Sequence, residues 1–196
     1  MKAVLKSSDN NLLVKIKNDF LKYLNDKFYM LFLLITALGS YGFLITHYSV
    51  SIDDLEYDRY YYGELIAQGR LSSTIIHRLF NLTDNIIYIQ DFLGLVFMCI
   101  GIILLCTFLD KYLKTKNHIP QIFFSCVFLS FPLHSELFSY GGCFFAIGSE
   151  CVLMSISLLL VKEYLETQKI SCWILSIIPL FVIASWYESM LIVYVC

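Results

Sequence analysis

The feature that most restricts the fold of this chain is an uninterrupted apolar run. From Phe28 to Tyr48 no Asp, Glu, Lys or Arg occurs. Because a helix rises about 1.5 Å per residue, a run of this length can cross the roughly 30 Å hydrocarbon core of a bilayer. Over the whole chain, 58% of the residues are hydrophobic and 15% are charged. A soluble domain of this size cannot bury that much apolar surface, since much of its surface stays in water.

Further apolar runs predict an all-α, polytopic transmembrane protein. Polar residues divide the chain into about five full spans, at residues 28–48, 86–109, 119–134, 143–161 and 170–186. A last apolar run, 190–196, is too short to cross a bilayer, because a spanning helix needs about 20 residues. We therefore expect the chain to stop inside a sixth span, either as a fragment or as a truncated gene product.

The distribution of basic residues predicts the orientation of the spans. Residues 1–27 are polar and rich in lysine, with apolar residues at helical spacing, which is typical of an amphipathic helix on a membrane surface. If five spans alternate, eleven of the fourteen Lys and Arg residues fall on the same side as this segment. Positive charge in short loops marks the cytoplasmic side. The N-terminus is thus predicted to be cytoplasmic, and residues 49–85, 135–142 and 187–189 are predicted to face outward.

The outward segment 49–85 contains the strongest candidates for a chemical site. Asp53 and Asp54 lie just beyond the first span, and Arg70 follows among apolar residues whose spacing predicts interfacial helices. A carboxylate that is partly removed from water has a raised pKa and can act as a base. An arginine can hold a phosphate, such as that of a lipid carrier, through paired donors. The alternative is a solvated acidic loop that only keeps the segment outside.

Two further carboxylates bear on the class of function. Glu136, in the second outward loop, could converge with Asp53 and Asp54 above the membrane. Glu150 lies inside the fourth predicted span, where an ionisable group is costly and usually faces a partner or a cavity. If Glu150 were essential and the outward acids dispensable, a non-enzymatic flippase, transporter or assembly partner would be the better interpretation.

The sequence contains no motif for a metal or a nucleotide cofactor. Its seven cysteines include no C-x-x-C pair, and it has neither a G-x-G-x-x-G sequence nor a P-loop. We therefore expect no metal and no cofactor. The net charge of −2 gives no reason to expect a nucleic acid partner.

As a set, the motifs resemble those of the bacterial serotype-converting O-antigen glucosyltransferases, polytopic enzymes of the GT-C type. The resemblance rests on Asp53-Asp54, on Gly69-Arg70-Leu71, on Pro132 followed by Glu136 and Tyr140, and on Tyr187-Glu188-Ser189. It extends over most of the chain. Members of the family are longer, so this chain would cover roughly their first half.

The resemblance implies an activity and a set of roles. A sugar, with glucose expected, would pass from a polyprenyl-phosphate carrier to a surface glycan such as O-antigen, outside the bacterial inner membrane. Asp53 or Asp54 would be the base that deprotonates the acceptor. Arg70 would neutralise the lipid phosphate, and Glu136 would orient the acceptor or share the role of base. Substrate binding would also involve Tyr140 and Glu188.

Overall fold

The computed structural model describes residues 2–47, 67, 69–80, 87–113, 118–132, 134, 143–186 and 194. Side chains are described within these ranges except at residues 2–13, 77–80, 87–88, 111–113 and 143. The described residues form seven helices and no strand. The predicted all-α class is therefore confirmed.

The helices are α1 (Lys2–Asn25), α2 (Lys27–Thr46), α3 (Leu71–Phe80), α4 (Ile87–Leu113), α5 (Ile119–Leu129), α6 (Cys143–Thr167) and α7 (Ile170–Ala184). Three stretches are long and apolar enough to cross a membrane, namely Lys27–Thr46, Ile89–Asp110 and Phe144–Thr167. They correspond to α2, α4 and α6. α5 and α7 are shorter apolar helices of 11 and 15 residues. The described helices thus fit a polytopic membrane protein, while the count of five full spans stays a prediction.

α2 begins at a side-chain cap and presents one face to the other helices. The Asp26 carboxylate accepts hydrogen bonds from the backbone N–H groups of Phe28 and Tyr29, at 3.0 and 3.1 Å, which satisfies donors that have no partner within the helix. The buried positions recur every fourth residue and are Tyr29, Leu33, Ala37 and Tyr41. The remaining faces are rich in exposed apolar side chains, as expected for a helix surrounded by lipid.

α4 and α6 pack closely because glycines remove side chains from their contact. A β-carbon on Gly94 would lie 2.5 Å from the backbone of Phe144, and one on Gly148 would overlap the carbonyl oxygen of Gly94. Further along, the hydroxyl oxygen of Ser155 lies 2.9 Å from the carbonyl oxygen of Gly101 and 2.7 Å from that of Cys151 in its own helix. Small residues at such crossings let two backbones approach in a membrane, where van der Waals packing drives helix association. The order of these contacts shows that α4 and α6 run in parallel.

The other apolar helices alternate in direction around this pair. α5 is antiparallel to α4, because Gln121 bonds Asp110 near one end and Ser125 contacts Cys106 deeper in the bundle. α7 is antiparallel to α6, because the Ser157 hydroxyl donates to the carbonyl oxygen of Ser176 at 2.9 Å and the ring of Trp186 lies 6.0 Å from that of Phe145. The described helix ends therefore fall into two sets, one at each end of the bundle.

α1 contacts one of these two ends, which we call the lysine end. Lys22 pairs with Asp110 at 3.8 Å, Lys15 pairs with Glu166 at 3.9 Å, and the side chain of Tyr23 is fully buried. Burial, together with the nearby Asp110 carboxylate, raises the pKa of Tyr23, which therefore stays a neutral phenol. The lysine end contains the start of α2, α5 and α7 and the end of α4 and α6. The opposite end contains α3.

Two helix boundaries differ from the predicted spans. α5 ends at Leu129 rather than near residue 134, because Pro132 has no N–H to continue the helical bonding and the Phe131 N–H turns to the Phe128 carbonyl oxygen, three residues back, at 3.4 Å. α6 continues to Thr167 rather than ending near residue 161. It can do so because the buried ammonium group of Lys162 pairs with Glu166, one turn further along the helix, at 3.8 Å and lies 5.7 Å from the centre of the Phe108 ring.

Candidate active site

Arg70 is the one predicted site residue within the described part of the chain. Asp53, Asp54, Glu136, Tyr140 and Glu188 lie outside the described residues, so their assignment stays a prediction. The described residues on either side of them nevertheless show where the flanking helices begin and end.

Arg70 is the residue from which α3 starts. The preceding Gly69 has φ of +82°, a conformation that favours glycine because it has no β-carbon. The Arg70 carbonyl oxygen accepts hydrogen bonds from the N–H and from the hydroxyl of Thr74, each at 3.2 Å. Thr74 is itself buried. The backbone of Arg70 is thus fixed by the first turn of α3, and its side chain is half-buried.

The first turn of α3 is attached to the end of α7. The Ser72 N–H donates to the Ser185 carbonyl oxygen at 3.1 Å, and the two hydroxyl groups also share a hydrogen bond. Both residues are buried. This contact joins segments that are 113 residues apart in sequence. It brings Arg70 to the helix end that leads directly into the predicted motif Tyr187-Glu188-Ser189.

The end of α7 is held in turn by α6. Trp186 is buried, and its ring packs at a tilt against that of Phe145, in the first turn of α6. The Ser185 hydroxyl donates within its own helix to the carbonyl oxygen of Phe181 at 2.8 Å. α3, the end of α7 and the start of α6 therefore meet at one place.

Tyr41 connects the helix ends that flank the second predicted loop, residues 135–142. Its hydroxyl donates to the carbonyl oxygen of Leu129, the last residue of α5, and its ring lies 5.5 Å from that of Phe144 at the start of α6. Nearby, His134 is buried and its Nδ1 atom lies 2.9 Å from the Phe128 carbonyl oxygen. Both attachment points of the loop that contains Glu136 and Tyr140 thus lie at the same end as Arg70.

Glu150 is fully buried in α6, two turns from the start of that helix. This agrees with the expectation that an ionisable group within a span faces the interior of the bundle. Among the described residues, no three His, Cys, Asp or Glu side chains are placed so that they could hold a metal ion. The described part of the site is therefore a set of hydroxyl groups, aromatic rings and one guanidinium group.

Ser72, Ser185 and Tyr41 were not predicted from the sequence to belong to the site. The sequence does contain a local signal for Ser72, because three consecutive hydroxyl residues, 72–74, begin two positions after Arg70. Small hydroxyl residues in an otherwise apolar helix often mark a contact with another helix. Nothing local in the sequence distinguishes Ser185 or Tyr41 from other polar residues at the end of an apolar run.

Comparison with known protein families gives a match over most of the chain. The family model described as glucosyl transferase GtrII matches residues 42–196. The chain belongs to the GtrII glucosyl transferase family. The predicted resemblance to serotype-converting glucosyltransferases is thereby confirmed. Searches of curated proteins and of solved structures find no match.

Membership of the GtrII family identifies the chain as a glycosyltransferase with the helices of a membrane protein. The matched region begins near the end of α2 and includes α3 to α7. It thus contains every predicted site residue, whereas α1 precedes it. Within the GtrII match, Arg70 and the end of α7 are the described parts of the site that the fold brings together.

Proposed function

We propose that this chain is the part of a GT-C-type glucosyltransferase that binds a polyprenyl-phosphate-linked glucose at the outer face of the bacterial inner membrane. The acceptor is a surface glycan such as the O-antigen of lipopolysaccharide. The observation that carries the proposal is the link between Ser72 and Ser185, which places Arg70 beside the end of α7. A phosphate donor held by Arg70 would then lie next to the segment that contains Glu188.

The proposed orientation follows from the charge at the two ends of the bundle. The lysine end contains α1 with Lys15 and Lys22, and the positive-inside rule assigns such an end to the cytoplasm. Arg70 and α3 then face outward. A polyprenyl phosphate sits with its headgroup at the membrane surface, at the depth of an interfacial helix such as α3. No nucleotide sugar is needed at this step.

The proposed reaction is a direct, inverting displacement at the anomeric carbon of glucose. Asp53 or Asp54 accepts the proton of the acceptor hydroxyl, whose oxygen forms the new bond to that carbon. The bond between the carbon and the phosphate oxygen breaks, and the polyprenyl phosphate leaves with both electrons. The guanidinium group of Arg70 neutralises the negative charge of this leaving group. Glu136 orients the acceptor or shares the role of base, and Tyr140 and Glu188 contact substrate.

Whole cells provide the direct test. Removal of a general base typically lowers the rate by about 10²- to 10⁴-fold. We expect Asp53→Asn or Asp54→Asn to lower the rate of glucosylation by such a factor. The two variants should differ in their rates, because the side chains of adjacent residues point in different directions. The measurement is O-antigen glucosylation normalised to the amount of protein in the membrane. Glu64→Gln, in the same predicted segment, is the control and should retain normal modification.

A transporter or assembly partner is the second candidate, and it rests on the complete burial of Glu150 within α6. An intramembrane carboxylate is often part of a substrate or ion path. If both Asp variants modify the glycan normally while Glu150→Gln abolishes modification, the enzymatic proposal is wrong and this second function takes its place.

A further inference from the structure

We propose that Ser72 and Ser185 are positioning residues that hold Arg70 at the donor phosphate, an inference that rests on the proposed function. The guanidinium group is at the end of a long side chain, so its position depends on how firmly its backbone is held. That backbone is attached to the first turn of α3 by Thr74. The first turn is attached to α7 by Ser72 and Ser185. The two serines thus connect the phosphate-binding group to the frame of the bundle.

The direction of the hydrogen bonds follows from the number of protons available. The Ser185 hydroxyl has one proton, which it donates to the Phe181 carbonyl oxygen at 2.8 Å. From this we infer that Ser185 is the acceptor in the pair and Ser72 the donor, since by their separation alone either hydroxyl could donate. The chain of bonds runs from the Ser72 hydroxyl to the Ser185 hydroxyl and on to the backbone of α7. A second bond, from the Ser72 N–H to the Ser185 carbonyl oxygen, involves no side chain.

With this direction of bonding, replacing Ser185 by alanine should have a larger effect than replacing Ser72. Replacing Ser185 by alanine leaves the buried Ser72 donor without its acceptor, and a buried group that loses its partner costs more than an average hydrogen bond contributes. Replacing Ser72 by alanine leaves Ser185 still bonded to Phe181. The backbone bond between the segments survives both changes. We therefore expect the Ser185 variant to shift α3, and Arg70 with it, more than the Ser72 variant does.

The expected kinetic signature separates positioning from stability. In membranes that contain the protein, Ser185→Ala should raise the KM for polyprenyl-phosphate glucose by about 3- to 10-fold, the range that corresponds to one net hydrogen bond. Ser72→Ala should raise it by less, and the double variant by no more than Ser185→Ala alone. The KM for the acceptor glycan should change less than twofold. A variant that merely unfolds in part lowers the amount of active enzyme and leaves the donor KM unchanged.

Ser176→Ala is the matched control. Ser176 lies in the same helix and is buried, and its hydroxyl donates to the carbonyl oxygen of Trp173 at 2.6 Å, much as Ser185 donates to Phe181. The carbonyl oxygen of Ser176 accepts a hydrogen bond from the Ser157 hydroxyl of α6, so Ser176 contacts α6 where Ser185 contacts α3. Loss of its hydroxyl should leave the donor KM at the wild-type value.

A cross-link tests the contact without any assay of activity. Hydroxyl groups in hydrogen-bond contact bring two β-carbons close to the separation that a disulfide needs. The variant Ser72→Cys/Ser185→Cys, oxidised in membranes with copper phenanthroline, should lose two sites of labelling by a thiol-reactive polyethylene glycol. Each single cysteine variant should keep its site after the same treatment.

The outcomes distinguish the inference from the proposed function. Failure of the double cysteine variant to cross-link overturns the inference. If Arg70→Ala raises the donor KM but Ser185→Ala behaves like Ser176→Ala, Arg70 binds the donor and the positioning role is wrong. If Arg70→Ala leaves the donor KM unchanged, the proposed donor site fails, and the positioning role fails with it even where the cross-link forms.

Discussion

At the scale of single residues, the geometry of the donor group matters as much as its charge. A guanidinium group presents several N–H donors in a fixed plane, whereas an ammonium group is a compact charge on a flexible stem. Arg70 starts from a backbone that the first turn of α3 holds in place. A planar donor on a fixed backbone can recognise the shape of a phosphate as well as its charge.

Arg70→Lys should therefore behave differently from Arg70→Ala. We expect the lysine variant to raise the donor KM by about tenfold, because it retains the charge but loses the paired donors. The alanine variant should raise it further. Titration of isolated membranes with polyprenyl-phosphate glucose gives both values. Equal donor KM values for Arg70→Lys and the unaltered protein would show that the paired N–H donors of Arg70 do not contribute to donor binding.

Asp26 combines two roles that substitution can separate. It caps α2 through Phe28 and Tyr29, and its second oxygen lies 3.3 Å from Nδ1 of His118. Asp26→Ala should destabilise the protein by about 1 kcal/mol or more, since the cap and the pairing are both lost. Asp26→Asn keeps a side-chain acceptor for the cap and should lose less than half as much. Thermal unfolding in detergent measures the difference, and equal losses would contradict the role of Asp26 as a cap.

At the scale of helices, the contact between α4 and α6 has no space for additional atoms. Overpacking a close contact typically costs about 1–3 kcal/mol. Gly148→Ala, which would place a methyl group against the Gly94 carbonyl oxygen, should fall at the upper end of this range. Gly42→Ala in α2 is the control, because a β-carbon there meets nothing within 4 Å. The measurement is the fraction of protein that remains folded in detergent on heating, and equal tolerance of the two changes would contradict this packing.

At the scale of the whole molecule, the two ends of the bundle should differ in their accessibility. A cysteine introduced at the exposed residue Ala67 should react with a membrane-impermeant maleimide in intact spheroplasts. A cysteine introduced at the exposed residue Thr167 should react only after permeabilisation. These results follow from the proposed cytoplasmic position of the lysine end. Reaction of the cysteine at position 167 in intact spheroplasts would reverse the orientation and remove the outward site.

The sequence predicts the helices better than the contacts between them. Long apolar runs with few charges identify α2, α4 and α6, because the cost of placing charge in lipid is a local property. α5 ends at Leu129 although the apolar run continues, because Pro132 interrupts the helical bonding and hydropathy does not report this. The pairing of Ser72 with Ser185 joins distant segments, so no periodicity could reveal it. The sequence predicts Arg70 as a phosphate-binding residue, whereas the hydrogen bonds that hold its backbone are visible only in the fold.

The parallel arrangement of α4 and α6 also aligns the peptide dipoles of these two helices. Peptide dipoles add along a helix, leaving partial positive charge at its N-terminus and partial negative charge at its C-terminus. Antiparallel neighbours largely cancel, whereas these two glycine-packed helices reinforce each other. Their amino ends lie together on the side of Arg70, and their carboxyl ends lie together near Lys15 and Lys22. At the contact between these two helices the backbone therefore presents partial positive charge on the side of Arg70, and the antiparallel helices α2, α5 and α7 oppose this field over the rest of the bundle.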